Sequence, residues 1–366
     1  MGGFHRLLRP ARASATPSRV DGARGLGRTG RFRAVDATAS FPLARSMNGF
    51  PRSAATGPCR RTLLFGTAGA LTVGVVASNL TPVADGGTGP ATDGSPPDPT
   101  GSPTLIAHRG FAGENPENTR AAARDATRSD GPGRRADLVE VDAVPTADGD
   151  VVAFHDDALA GRDGPGLTDA EGVVWETGTE AVTGAEVLHS GETVPLLGDL
   201  LDAVPTDVGV NIELKNPGSS ALRFAEKLSG DALETQKSIW RPFVERVLDI
   251  AADRDHEFLV SAFYEAALAV TVDESEHPVA PILWRSIEDG IAIARAHDAD
   301  AIHPPIEMIR GTPFFDESRY GDADLVDVAR AEGRDVNVWT AKSWHEAERL
   351  AAAGVDGLIA DYSTLS

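Results

Sequence analysis

Eight short apolar runs, beginning at residues 104, 138, 208, 257, 279, 300, 335 and 356, alternate with stretches of helical periodicity, and this alternation limits the fold more than any other feature of the chain. The runs are bounded by Gly, Pro or polar residues and have strand length rather than helix length. Between them, apolar spacing predicts helices at about 196–204, 239–253, 264–273, 286–296, 322–332 and 343–353. A further helix is expected at 121–126, where Asn118 and Thr119 stand in the capping position. Strands and helices in this order predict an α/β chain, a (β/α)8 barrel of the TIM type over residues 104–366. One stretch breaks the rhythm. After the second strand a turn with Asp148-Gly149 at its tip is followed by a run at 151–156 that reads as an antiparallel return, and then by a glycine-rich excursion to 194. It is too long for an ordinary connection, so a small insertion is expected at about 145–194.

Barrel enzymes keep their chemistry at the carboxyl ends of the strands. His108, Arg109, Glu140, Asp142, Glu213, Lys215, Ser261, His303 and Trp339 all stand at or near such ends. Glu140 and Asp142 alternate with Val139, Val141 and Ala143, so they share one strand face. Two carboxylates placed this way suit a hard cation with oxygen ligands, or a solvated polar face. The hairpin return brings His155 toward Glu140. Glu213 and Lys215 share a face of the next strand and add a third carboxylate and a cation, readable as site residues or as a simple ion pair. Trp339 offers an aromatic surface to a substrate alcohol or to the core. Glu114 either reaches the site or remains a solvated loop carboxylate.

The two ends of the chain differ in charge. Residues 1–61 hold 12 Arg and two acidic residues, whereas the remaining 305 hold 22 basic and 53 acidic residues. Residues 1–58 lack hydrophobic periodicity and are expected to be disordered; Met47 is an alternative start that would leave 1–46 as upstream sequence. Arg60-Arg61 precede an uncharged 17-residue stretch at 62–78, a layout similar to a twin-arginine export signal. Residues 59–81 are therefore expected to act as a cleaved signal or a retained membrane anchor, with 82–103 as a flexible linker. Export or cell-surface attachment follows, and a cytoplasmic location only if this segment is mis-assigned. Cys59 is the sole cysteine, which excludes an internal disulfide. The acidic part uses only four lysines, and self-repulsion of that size is tolerable where salt shortens the Debye length to about 3 Å, as at 1 M. The composition thus predicts an extreme halophile and disfavours nucleic acid as a partner.

Eight segments in order resemble the glycerophosphodiester phosphodiesterase family. They are Ala107-His108-Arg109-Gly110, Pro116-Glu117-Asn118-Thr119, Glu140-Val141-Asp142, Val152-Ala153-Phe154-His155-Asp156, Ile212-Glu213-Leu214-Lys215, Ser261-Ala262-Phe263, Val338-Trp339-Thr340 and the run from Gly354 to Asp361. The resemblance implies a barrel with a small insertion after the second strand. It implies that Glu140, Asp142 and Glu213 bind one divalent cation, Mg²⁺ or Ca²⁺. His108 and His155 would be general acid and base, and Arg109 and Lys215 would hold the phosphate of a small glycerophosphodiester, cleaved to glycerol phosphate and an alcohol. Glu114, Ser261 and Trp339 are candidate substrate contacts. Two positions depart from the family pattern, Lys342 where an Asn is common and Ala360 where a Thr precedes the Asp; both bear on substrate selection more than on chemistry.

Two other readings are compatible with part of this pattern. A phospholipase C or D type activity on intact lipid headgroups would suit an exported or anchored protein, but no basic or aromatic amphipathic stripe supports lipid insertion. A non-catalytic barrel binding phosphorylated ligands would not need both histidines and all three carboxylates.

Overall fold

The computed structural model describes residues 102–161 and 166–365, which belong to one compact unit. The basic segment, the signal-like segment with its apolar stretch at 62–78, and residues 82–101 of the linker lie outside the described residues. Among the described residues no helix is long and apolar enough to cross a membrane.

The strands are β1 (Thr104–Ala107), β2 (Leu138–Pro145), β3 (Val151–Ala153), β4 (Gly209–Leu214), β5 (Phe258–Ala262), β6 (Val279–Pro281), β7 (Ala301–Ile302), β8 (Asp335–Ala341) and β9 (Gly357–Ala360). Eight of them run parallel in the order β6-β5-β4-β2-β1-β9-β8-β7, and β3 pairs antiparallel with β2. The two ends of this order meet through a bridge between Ile282 and His303, where His303 N donates to Pro281 O and Leu283 N to His303 O, each at 2.9 Å. The result is a (β/α)8 barrel. Its β6–β7 seam is narrow because Pro281, Pro304 and Pro305 supply no N–H to the ladder, which also keeps β6 to three residues and β7 to two.

Alternation along the strands divides two environments. Val139, Val141, Val210, Ile212, Val260 and Val338 face the helices and join the main core, each buried side chain contributing about 1.5–3 kcal/mol. The residues between them, Glu140, Asp142, Asn211, Ser261 and Asn337, are buried on the inner face. An interior this polar is costly, since a buried group without a hydrogen bond loses about 1–3 kcal/mol.

The helix expected at 239–253 is longer, Gly230–Ala252, and runs through Pro242. Its first turns are pinned by tertiary bonds that periodicity does not reveal: Gln236 Nε2 donates to Ala221 O at 2.7 Å and Lys237 Nζ pairs with Asp273 at 2.7 Å. The excursion after β3 builds a second small core from Val144, Val152, Phe154, Leu159, Val174 and Val187. β3 lies between the two cores, with Val151 and Ala153 in the first and Val152 in the second.

Candidate active site

β1 ends at Ala107 and hands the chain to a tight turn in which Arg109, Gly110 and Phe111 all have positive φ, 51°, 77° and 64°. At Gly110 a Cβ would lie 2.7 Å from Ala122 Cβ and 2.9 Å from its carbonyl carbon, so the turn can seat on the following helix, Arg120–Ala126, only if this residue is glycine. Thr119 Oγ1 caps that helix by accepting from Ala122 N at 3.1 Å. The left-handed Arg109, a conformation costing about 1–2 kcal/mol, is held by its own bonds: its N–H donates to Glu140 Oε2 at 2.8 Å, Nη1 donates to Glu117 Oε1 at 2.8 Å, and Nε lies 3.1 Å from Asp142 Oδ2.

Strand register assembles the carboxylates. Asp142, Glu213 and Ser261 are partners across β2, β4 and β5, and Glu140 pairs with Asn211 one row deeper. Glu140, Asp142 and Glu213 each offer an oxygen within 4.8 Å of the others. Lys215 Nζ contacts Glu213 Oε1 and lies 2.9 Å from Asp142 Oδ1. Glu140 Oε1 is buried without a hydrogen-bond partner, and Asp142 Oδ1, also without a hydrogen bond, has the Lys215 ion pair. Burial, and repulsion from Asp142 and Glu213, push the Glu140 carboxyl well above its ordinary range. Burial would raise Asp142 too, but Lys215 and Arg109 outweigh it and hold this carboxyl far below the usual range. The buried, unpartnered Glu140 Oε1 in an all-carboxylate donor set fits a hard divalent cation, which would relieve the repulsion on Glu140.

Both histidines engage a carboxylate through Nδ1. His108 Nδ1 is 2.6 Å from Asp361 Oδ1, and His155 Nδ1 is 2.6 Å from Asp156 Oδ1. This pairing fixes each ring through Nδ1 and leaves Nε2 as the nitrogen outside it. Burial lowers the pKa of His108 in spite of Asp361, and burial followed by the charge of Lys215 lowers that of His155. The hairpin does return antiparallel, but its register sets Ala153 against Ala143 and lets Phe154 N donate to Asp142 O at 3.0 Å. The β2 carboxylate whose charge acts on His155 is Asp142, two residues along the strand from the Glu140 that the sequence suggested.

Of the remaining candidates, Ser261 is fully buried beside Glu213 and its Oγ has no hydrogen-bond partner. Glu114 accepts from Ser363 N at 2.7 Å and from its hydroxyl, which ties the loop after His108 to the C-terminal segment. Trp339 donates Nε1–H to His303 O at 2.9 Å and stacks on Trp284, with ring centroids 5.9 Å apart. Phe263 meets both indoles edge-on, and Lys215 Nζ stands 6.0 Å from the Phe263 ring. The aromatic wall thus begins where the cluster of charges ends. Lys342 Nζ lies 3.6 Å from Asp361 Oδ2.

Asp361 and Asn118 also reach this cluster, although the sequence marked Asp361 only as the end of a family-like run and Asn118 only as a turn and capping position. Barrel closure held the signal for Asp361: once the last strand pairs with the first, Ala107 stands opposite Ala360, so the next residues, His108 and Asp361, become neighbours. Asn118 binds Asp142 twice, through Nδ2 to Oδ2 at 2.7 Å and by accepting from Asp142 N at 3.1 Å.

The model of the Glycerophosphoryl diester phosphodiesterase family matches residues 108–365. A glycerophosphodiester phosphodiesterase of Bacillus altitudinis is 26% identical over 271 residues, which are 70% of this chain and 94% of that protein. One from Caldanaerobacter subterraneus subsp. tengcongensis is 26% identical over 265 residues, covering 70% of this chain and 93% of the relative. Among solved structures, an Oleispira antarctica phosphodiesterase in complex with the product sn-glycerol-3-phosphate superposes with a TM-score of 0.55 at 23% identity, covering 71% of this chain and 94% of that one.

Proposed function

The chain belongs to the glycerophosphoryl diester phosphodiesterase family, whose members are phosphoric diester hydrolases, and from that premise we propose that it hydrolyses small glycerophosphodiesters to glycerol phosphate and a free alcohol by histidine acid–base catalysis at a site holding one divalent cation. The observation that carries this reading is the buried Glu140 Oε1, which has no hydrogen-bond partner, beside Asp142 Oδ1 with its ion pair to Lys215, set among two cations and two histidine–carboxylate pairs. Glu140, Asp142 and Glu213 would hold Mg²⁺ or Ca²⁺, which supplies charge stabilisation to the phosphoryl oxygens. Arg109, a planar fork already fixed by Glu117, suits two oxygens of the phosphate, and Lys215 acts as a point charge. Their charges are in place before the reaction, so they stabilise the transition state without reorganisation. One imidazole Nε2 takes the proton of the attacking water as the new P–O bond forms. The other protonates the alkoxide as its bond to phosphorus breaks.

The wall of Phe263, Trp284 and Trp339 supports a role in receiving the leaving alcohol. Phe224 extends it, stacking on Phe263 at 4.8 Å, and Phe224 and Trp284 keep 41% and 42% of their surface exposed. That exposed apolar area favours, as a second reading, an intact lysolipid as substrate. Incubating the full-length protein in concentrated salt with glycerophosphodiesters and lysolipids, with and without chelator, separates the readings. Chelator is expected to abolish hydrolysis of the glycerophosphodiesters; hydrolysis that persists without metal overturns the proposal. The acidic composition and the segment at 59–81 support export from a halophilic cell, which fractionation and N-terminal sequencing of the mature protein would test.

A further inference from the structure

Asn118 sits where the His108 turn meets the carboxylate cluster, 2% exposed and with φ 56°. Its position before the helix Arg120–Ala126 suggests capping, but Thr119 does that work, so the side chain of Asn118 is not required by the helix. It is committed to Asp142. Its amide donates to Asp142 Oδ2, its carbonyl accepts from Asp142 N, and its own N–H donates to Arg109 O at 3.0 Å. Oδ2, which also faces Arg109 Nε, is thereby occupied. The oxygen left without a hydrogen bond is Oδ1, the one beside Lys215. Few side chains meet these demands together. Glycine adopts the left-handed backbone but offers no amide, and aspartate would accept from Asp142 N but repel the Asp142 carboxylate.

We propose that Asn118 is the positioning residue of the cation site: by clamping one oxygen and the backbone N–H of Asp142, it fixes the rotation of that carboxylate, keeps Oδ1 available beside Glu140 and Glu213, and so sets cation affinity. The inference rests on the cation reading above. Partners that orient metal ligands typically govern affinity by 10- to 100-fold. The clamp also links the two halves of the site, because the backbone that carries the amide is bonded to the turn that carries Arg109.

Titrating Mg²⁺ and Ca²⁺ calorimetrically into the chelator-stripped full-length protein tests this. Asn118→Gly, which keeps the backbone conformation and deletes the clamp, is expected to weaken both affinities about 10- to 100-fold. Its lost turnover should return in large part as cation is raised. Should the glycine variant not fold, Asn118→Ser takes its place with the same expectation, since its short hydroxyl cannot make both bonds. Affinity within about threefold of the wild type, even with a lower melting temperature, would show a purely structural residue and overturn the clamp. If the wild type itself binds neither cation, the metal reading falls and the clamp with it; binding by the wild type that is matched by the variant removes the clamp alone.

Discussion

A buried imidazole with no charge to lean on stays folded by staying neutral. His303 is fully buried, its Nε2 3.1 Å from Asn337 Nδ2 and its Nδ1 without a hydrogen-bond partner, and burial pushes its pKa from 6.5 down to about 3. Below pH 6.5 the unfolded chain takes up a proton here that the folded chain refuses, so this contribution is intact above pH 6.5 and is lost as the pH falls toward 3. Denaturant unfolding at pH 5 is expected to show about 2 kcal/mol less stability from this group than at pH 7, and His303→Gln should have a flatter profile. His108 differs in having a carboxylate partner. Asp361→Asn removes the charge that orients it, and turnover should fall about 10²-fold or more, while calorimetric cation affinity stays at the wild-type value. An equal loss in both would place Asp361 in the cation site instead.

At the scale of elements, the His108 turn is the most exacting piece. Gly110→Ala combines a left-handed backbone with a Cβ pressed into Ala122, and should cost about 2–4 kcal/mol, seen as a lower melting temperature together with loss of turnover. Wild-type stability in this variant would mean that the turn relaxes freely. The same turn shows what a sequence can tell. Its strand, its glycine and the placing of His108 and Arg109 at the strand's carboxyl end are legible, because apolar runs report burial and strand ends report the mouth of a barrel. The partners are less so. His108 and Asp361 lie 253 residues apart in the chain, and they come together only through closure of the ring between β1 and β9. Asn118 was legible only as a turn and cap residue, since local pattern carries no sign of a bond to a strand 24 residues away. The early start of the helix Gly230–Ala252 was hidden for the same reason, its first turns being fixed by Ala221 and Asp273.

The whole molecule carries its excess of carboxylates on a chain with few lysines, and screening should therefore stabilise it. Raising KCl from about 0.1 M to about 2 M is expected to lift the melting temperature by several degrees, about 2–4 °C for each kcal/mol gained; a fall would refute the halophilic reading. The position of β3 has a different consequence. His108 belongs to the barrel proper, whereas His155 follows a strand whose alternate side chains answer to two separate cores. The two imidazoles proposed to handle protons therefore have different mechanical supports. Under the proposed mechanism, slackening of the smaller core alone would separate them while the carboxylate cluster on β2 and β4 kept its shape; turnover lost below the melting temperature with calorimetric cation affinity retained is the expected sign, and loss of both together would refute it.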